Sequence, residues 1–202
     1  MANADIRPDA SEAEVHVLAD GYVSADPNGT RHVGASVSFI RDGQALVIVD
    51  PGFQSSPAAI LEPLAALGVS PEDITDVVFS HHHPDHTLNA ALFPNARFHD
   101  NWATYHHGDI WESRSAEGLA LSPSILLIET PGHTPQDITT LAGTSEGIVA
   151  FTHLWGWAGQ VEDGLATDPA ALHANRQRVF KIARRIVPGH GSPFLTDEST
   201  PL

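Results

Sequence analysis

"VVFSHHHPDHT", residues 77–87, places four histidines and one aspartate between positions 81 and 86, directly after an apolar run. Val77-Val78-Phe79 has the composition of a buried strand. Side chains alternate along extended backbone, so His81 and His83 point to one side and His82 to the other. Asp85 falls on the same spacing, although Pro84 and the turn interrupt strict alternation, and His86 stands at the start of a short helix. Histidine is the commonest metal ligand among side chains, and carboxylate is a frequent partner. The stretch therefore raises the question of whether a metal sits here and whether the rest of the chain supplies the missing ligands.

Three further loops have the same form, an apolar strand followed by a histidine. "LLIETPGHT" delivers His133, "GIVAFTHLW" delivers His153, and "RIVPGHG" delivers His190. Strand ends are rigid, and loops that leave them converge readily on one point. His16, His32, His99 and His173 lie outside this pattern and read as ordinary structural or surface residues. His106 and His107 are expected on the surface or facing substrate. Trp155 and Trp157 flank the His153 loop, either packing or lining a substrate wall.

Composition narrows the chemistry. The chain has 202 residues, thirteen histidines and no cysteine. Thiolate metal sites, disulfides and a cysteine nucleophile are excluded, so any metal is held by His, Asp or Glu. Ten basic and twenty-five acidic residues give a net charge of −15, which argues against general binding to nucleic acid or to an anionic membrane. No run of eighteen apolar residues predicts a membrane span, and the acidic start shows no signal-peptide pattern. A soluble cytoplasmic protein acting on a small molecule is the expectation. Oligomeric state is not readable.

The length fits one domain, 1–202, with residues 1–12 expected as a flexible tail. "EVHVLADGYVS" reads as strands, and "GASVSFIRDGQALVIVD" as a hairpin turning at Arg41-Asp42-Gly43. "SSPAAILEPLAALG" reads as a helix with Ser56 at its cap, a kink at Pro63 and a stop at Gly68. "SPEDITDVVFS" gives a helical turn and a strand, "DHTLNAALF" a short helix and "ARFHD" a strand. Residues 101–123 have no clear period, and helix is the expectation for "NWATYHHGDIW". "DITTLAGTSEGIVAFTH" reads as a hairpin turning at Thr144 to Gly147. "DPAALHANRQRVFKIARR" reads as a helix capped by Asp168 with Pro169 at its first position. Strands precede helices in each half, which suggests two mixed sheets packed together with helices outside, an α/β, four-layer αββα sandwich, although pattern alone does not set the number of layers.

His81-x-His83-x-Asp85-His86, followed by His133 in "TPGHT" and His190 in "PGHG", resembles the motif series of the metallo-β-lactamase superfamily. The resemblance covers most of the chain. It implies that His81, His83 and His133 hold one metal and that Asp85, His86 and His190 hold a second. It also gives Asp50, at the end of an apolar strand, the part of a structural aspartate that orients the histidine loop. One position departs. The family bridges its two metals with an aspartate in a strand-end Gly-Asp pair, and here Thr152-His153 stands in that place. A carboxylate has two oxygens for two cations, whereas a neutral imidazole offers one lone pair. The exchange also leaves the inner shell one charge more positive. His153 is expected either to ligate one metal or to stand beside a mononuclear site.

The resemblance implies a metal-dependent hydrolase with one or two zinc ions; iron or manganese would suit the same donors. Bound metal lowers the pKa of water from about 15.7 to about 7, and Asp85 would orient or deprotonate that water. A small ester, lactone or thioester is the expected substrate. An iron-dependent oxidoreductase of the same fold is the alternative, and a non-catalytic metal-binding protein is the third class.

Overall fold

Apolar residues along the strands divide between two faces, and this division sets the layers of the computed structural model, which describes residues 6–202. The strands of the N-terminal half are β1 (Glu14–Ala19), β2 (Tyr22–Ala25), β3 (Arg31–Gly34), β4 (Val37–Asp42) and β5 (Ala45–Val49). Helix α1 (Ala58–Ala66) follows, then β6 (Asp76–Val78), the single turn α2 (Pro84–Thr87), β7 (Arg97–His99), β8 (Ala103–His106) and β9 (Ile110–Ser113). The C-terminal half carries β10 (Leu119–Ser122), β11 (Ile125–Glu129), β12 (Ile138–Thr144), β13 (Gly147–Thr152), α3 (Pro169–Phe180), β14 (Arg185–Pro188) and β15 (Phe194–Leu195).

Two mixed sheets form, with strand orders β1-β4-β5-β6-β7-β8-β9 and β10-β11-β12-β13-β14-β15, and β2 and β3 pair as a separate ribbon. Val47, Val49 and Val78 of the first sheet pack against Ile125, Leu127, Val149, Phe151 and Val187 of the second, forming the central layer. The alternate residues Phe39, Ile48 and Val77 turn outward and meet Ile60 and Leu64 of α1. On the far side Leu126, Ile128, Ala150 and Ile186 meet Leu172 and Val179 of α3. Strand period 2 thus produces the αββα sandwich. Each fully buried Val, Leu, Ile or Phe contributes about 1.5–3 kcal/mol relative to exposure.

Local signals account for most boundaries. Asp168 caps α3, its side chain accepting from the amides of Ala170 and Ala171, with Pro169 in the first position. Helix α1 runs on through Pro63, and Gly68 ends it at φ +73°. Its N-cap position is Pro57, while Ser56 Oγ accepts from the Ala58 amide at 3.3 Å.

Two expectations are corrected. Residues 101–111 form no helix: Tyr105 pairs with Trp111 and His106 with Ile110, making β8 and β9 a hairpin. Its turn is Gly108 and Asp109, both at positive φ. β9 is an edge strand exposed along its whole length, so no apolar alternation marks it in the sequence. Nor is the whole of 1–12 a tail. The Ala10 amide donates to Pro123 O at 2.9 Å and the Glu12 amide to Ser124 Oγ at 3.2 Å, fastening this stretch to the second sheet. Residues 1–5 lie outside the described residues.

β5 and β6 run parallel, as do β13 and β14. β11 is antiparallel to β12, which is antiparallel to β13, so β11 runs with β13. The C-terminal ends of β5, β6, β11, β13 and β14 therefore deliver Asp50, the 80–86 loop, His133, His153 and His190 to one end of the sandwich. Ligands commonly bind at the carboxyl ends of such strands.

Candidate metal centre

Asp50 organises the first histidine loop. Its carboxylate accepts from the Ser80 amide and from Ser80 Oγ, each at 2.7 Å, and from His86 Nδ1 at 2.7 Å. Asp50 itself holds φ +52°, a left-handed conformation that lets the chain turn sharply after β5. Ser80 Oγ spends its one proton on Asp50, so at its 3.0 Å contact with His81 Nδ1 it accepts. His81 therefore carries its proton on Nδ1 and a lone pair on Nε2.

The same logic fixes three more tautomers. His86 Nδ1 donates to Asp50. His133 Nδ1 donates to Asp163 Oδ2 at 2.6 Å, and His190 Nδ1 to Gly34 O at 3.1 Å. Each ring then presents the Nε2 lone pair. His81 Nε2 lies 2.9 Å from His83 Nδ1, which lies 3.2 Å from His133 Nε2. His153 Nε2 lies 3.0 Å from His190 Nε2.

Converging lone pairs repel unless a proton or a cation stands between them. His86 Nε2 and His153 Nδ1 are buried and have no hydrogen-bond partner, and such atoms are costly unless satisfied. Burial, and then the neighbouring histidines, push His81 and His153 well below the usual histidine pKa, which keeps them neutral and available as ligands. Burial also lowers His83 and His190. This donor set fits divalent metal ions.

Potential ligand atoms come together in groups. The ligand atoms of His81, His83 and His133 lie within 4.8 Å of one another, as do those of Asp85, His86 and His190. Asp85 Oδ2 is 3.7 Å from His86 Nε2. His153 sits between the two groups: its ring centroid is 4.0 Å from that of His133, 4.6 Å from His81 and 4.9 Å from His190. It also joins a donor group with His81 and His86, and another with His133 and Asp163.

Asp163 was not legible. It lies in "GQVEDGL", beyond β13, where nothing in the sequence separates it from Glu162. Burial works to raise its carboxyl, but hydrogen bonds from His133 and the Leu165 amide outweigh that and hold it below the usual range. The Thr167 amide donates to His133 O, and the Asp168 amide to Gly132 O, tying the two loops together. A carboxylate on the far nitrogen of a ligand histidine fixes the ring and raises its basicity. Asp50 and Asp163 thus bring two negative charges to the outer edge of the cluster.

Other residues fall outside it. His82 turns away to Asp100 at 3.3 Å, and His106 pairs with Glu112 at 3.1 Å on the surface. Trp155 is fully buried in the second sheet's outer core, its Nε1 donating to Pro201 O. Trp157 is half exposed and lines a cavity of about 830 Å3 whose wall includes His83, Asp85, His133, His153 and His190. The site is open rather than plugged by tryptophan. Among the described residues no helix is long and apolar enough to cross a membrane.

Comparison with known proteins agrees with this geometry. Residues 30–156 match the family model of the metallo-beta-lactamase superfamily. Metallo-beta-lactamase domain-containing protein 1 of Xenopus laevis is 34% identical over 193 residues, covering 91% of this chain and 82% of its own. Among solved structures, one from Thermotoga maritima superposes with a TM-score of 0.73 at 23% identity, covering 91% of this chain and 99% of that one. The dizinc quorum-quenching lactonase AidC, in complex with its product, gives a TM-score of 0.61 at 18% identity, covering 80% and 73%. The motif series, the layered fold and the sequence match together place this chain in the metallo-β-lactamase superfamily.

Proposed function

We propose that the chain is a zinc-dependent hydrolase of a small ester, lactone or thioester. The observation that carries this reading is the convergence of six histidines and Asp85 beside an open cavity, with the Nε2 lone pairs of His81, His86, His133 and His190 turned inward. In this reading His81 Nε2, His83 Nδ1 and His133 Nε2 hold one ion; Asp85, His86 Nε2 and His190 Nε2 hold a second; and His153 ligates one of them. Bound metal supplies Lewis acidity and a water of near-neutral pKa.

The chain's own residues do the rest. Asp85 is the one carboxylate among the proposed ligands, and it orients the attacking water and accepts its proton. The water oxygen bonds to the acyl carbon, the C–O or C–S bond breaks, and the proton passes to the departing alkoxide or thiolate. Val23, Val33, Trp157 and Leu165 line the cavity and offer an apolar surface to an acyl chain. The cavity volume is in the range that ordinary small ligands fill.

The test is metal analysis of protein purified without added metal, joined to assays on ester, lactone and thioester panels. One or two zinc ions per chain and hydrolysis abolished by chelation are expected. Hydrolysis that survives confirmed metal loss overturns the reading. Bound iron with colour and no hydrolysis would favour the oxidoreductase that the same His and Asp donors suit.

A further inference from the structure

The ribbon of β2 and β3 pairs Val23 with Val33 and Ala25 with Arg31. Alternation puts these four side chains on one face, and that face lines the cavity beside His83, Asp85 and His190. Arg31 is the one Lys or Arg among the residues lining it. Among the described residues its guanidinium has no hydrogen-bond or ion-pair partner, and the carboxylate of Glu162, which also lines the cavity, is not within ion-pair distance. The chain has only ten basic residues against twenty-five acidic ones. In contrast Arg41, Arg97, Arg178 and Arg185 are each paired with a carboxylate.

We infer that Arg31 is an anion anchor, so that the substrate carries a terminal carboxylate or phosphate in addition to its scissile acyl bond. This rests on the hydrolase reading. An arginine fork binds either anion through two parallel hydrogen bonds. Apolar Val23, Val33, Trp157 and Leu165 line the same cavity as His83, His133, His153 and His190 and suit the carbon chain joining the two ends. The metal centre would take the scissile carbonyl, and Arg31 the other end.

The test uses metal-loaded protein, with Arg31→Gln and Arg31→Lys beside the wild type. Arg31 is exposed and unpartnered, so the variants keep the fold, which thermal melting checks. Two arms are read. In the first, kcat/KM is compared for p-nitrophenyl butyrate, for mono-p-nitrophenyl glutarate and for the ester bearing a terminal phosphonate. The wild type is expected to prefer one or both anionic esters, which separates carboxylate from phosphate. Arg31→Gln should cut that preference about 10–100-fold through KM, with partial rescue by Arg31→Lys. In the second, calorimetry measures glutarate and propylphosphonate binding, and Arg31→Gln should weaken the favoured anion by a similar factor. Binding unchanged in Arg31→Gln overturns the anchor whether or not any ester is cleaved. Absence of all cleavage with a normal Arg31 effect on binding instead counts against the hydrolase reading alone.

Discussion

Gly189 presses on His153. A β-carbon at Gly189 would stand 2.5 Å from His153 Cδ2 and 2.9 Å from its Nε2, so only glycine leaves room for the ring between the two donor groups. Gly189→Ala is expected to push the imidazole aside and lower bound metal by up to one equivalent per chain, with the fold retained; full stoichiometry would show that His153 is not a ligand. His153→Asp should restore a bridging carboxylate and tighten the second ion, while His153→Ala should loosen it, as read by competitive chelator titration. Asp163 acts one bond further out. Its carboxylate supplies negative charge near the position where the family's aspartate is missing, through the His133 ring rather than through a metal bond. Asp163→Asn should weaken metal binding about 10–100-fold. Affinity equal to wild type would reduce Asp163 to a loop tether.

At the scale of elements, the five strand ends that carry the site are held by neighbours with their own polar staples. Fully buried Asp76 of β6 accepts from His99 Nε2 of β7 and from Arg97, each at 2.7 Å, and from Thr75. Burial works to raise the Asp76 carboxyl, but the hydrogen bonds from His99, Arg97 and Thr75 prevail and depress it. Burial is the main reason His99 is lowered, and it stays neutral. A depressed carboxylate stabilises the fold above its unfolded value of 3.8, and that stability is lost as pH falls through the folded value. A depressed histidine contributes fully above 6.5 and loses stability as pH falls below it. Both signs make acid destabilising. Denaturant unfolding should show stability falling from pH 7 to pH 3. Asp76→Asn should cost about 3 kcal/mol at pH 7 and flatten the acid limb. Parallel curves for the two proteins would rule out this staple as the source. Elements with strong local signals, such as α3 with Asp168 and Pro169 or the β12–β13 hairpin, were legible in sequence. β8 to β10 were not, because edge and half-exposed strands bury too little to impose alternation.

For the whole molecule, the cluster joins loops from both sheets, so a metal held by all of them should bind the native sandwich in preference to the unfolded chain. An ion at 100 times its Kd stabilises by about 2.7 kcal/mol, and for a chain of this size that corresponds to a rise of about 5–10 °C in melting temperature. Chelation should reverse the rise. Metal that binds without shifting the melt would place it on a single loop. The sequence by itself marked the strands and the histidine series, because apolar alternation and strand-end loops are local patterns that burial makes obligatory, while the number of layers came from the motif series' resemblance to its family and not from the pattern. His81, His83, Asp85, His86, His133, His153 and His190 were all named from position in such loops, and the structure brings them together. Only the tertiary structure decided which nitrogen each histidine turns inward, since that depends on Asp50, Asp163, Ser80 and Gly34 arriving from distant parts of the chain. Only it placed Arg31 on the cavity face of its ribbon, because a charged residue in an exposed strand carries no local mark of what stands opposite it.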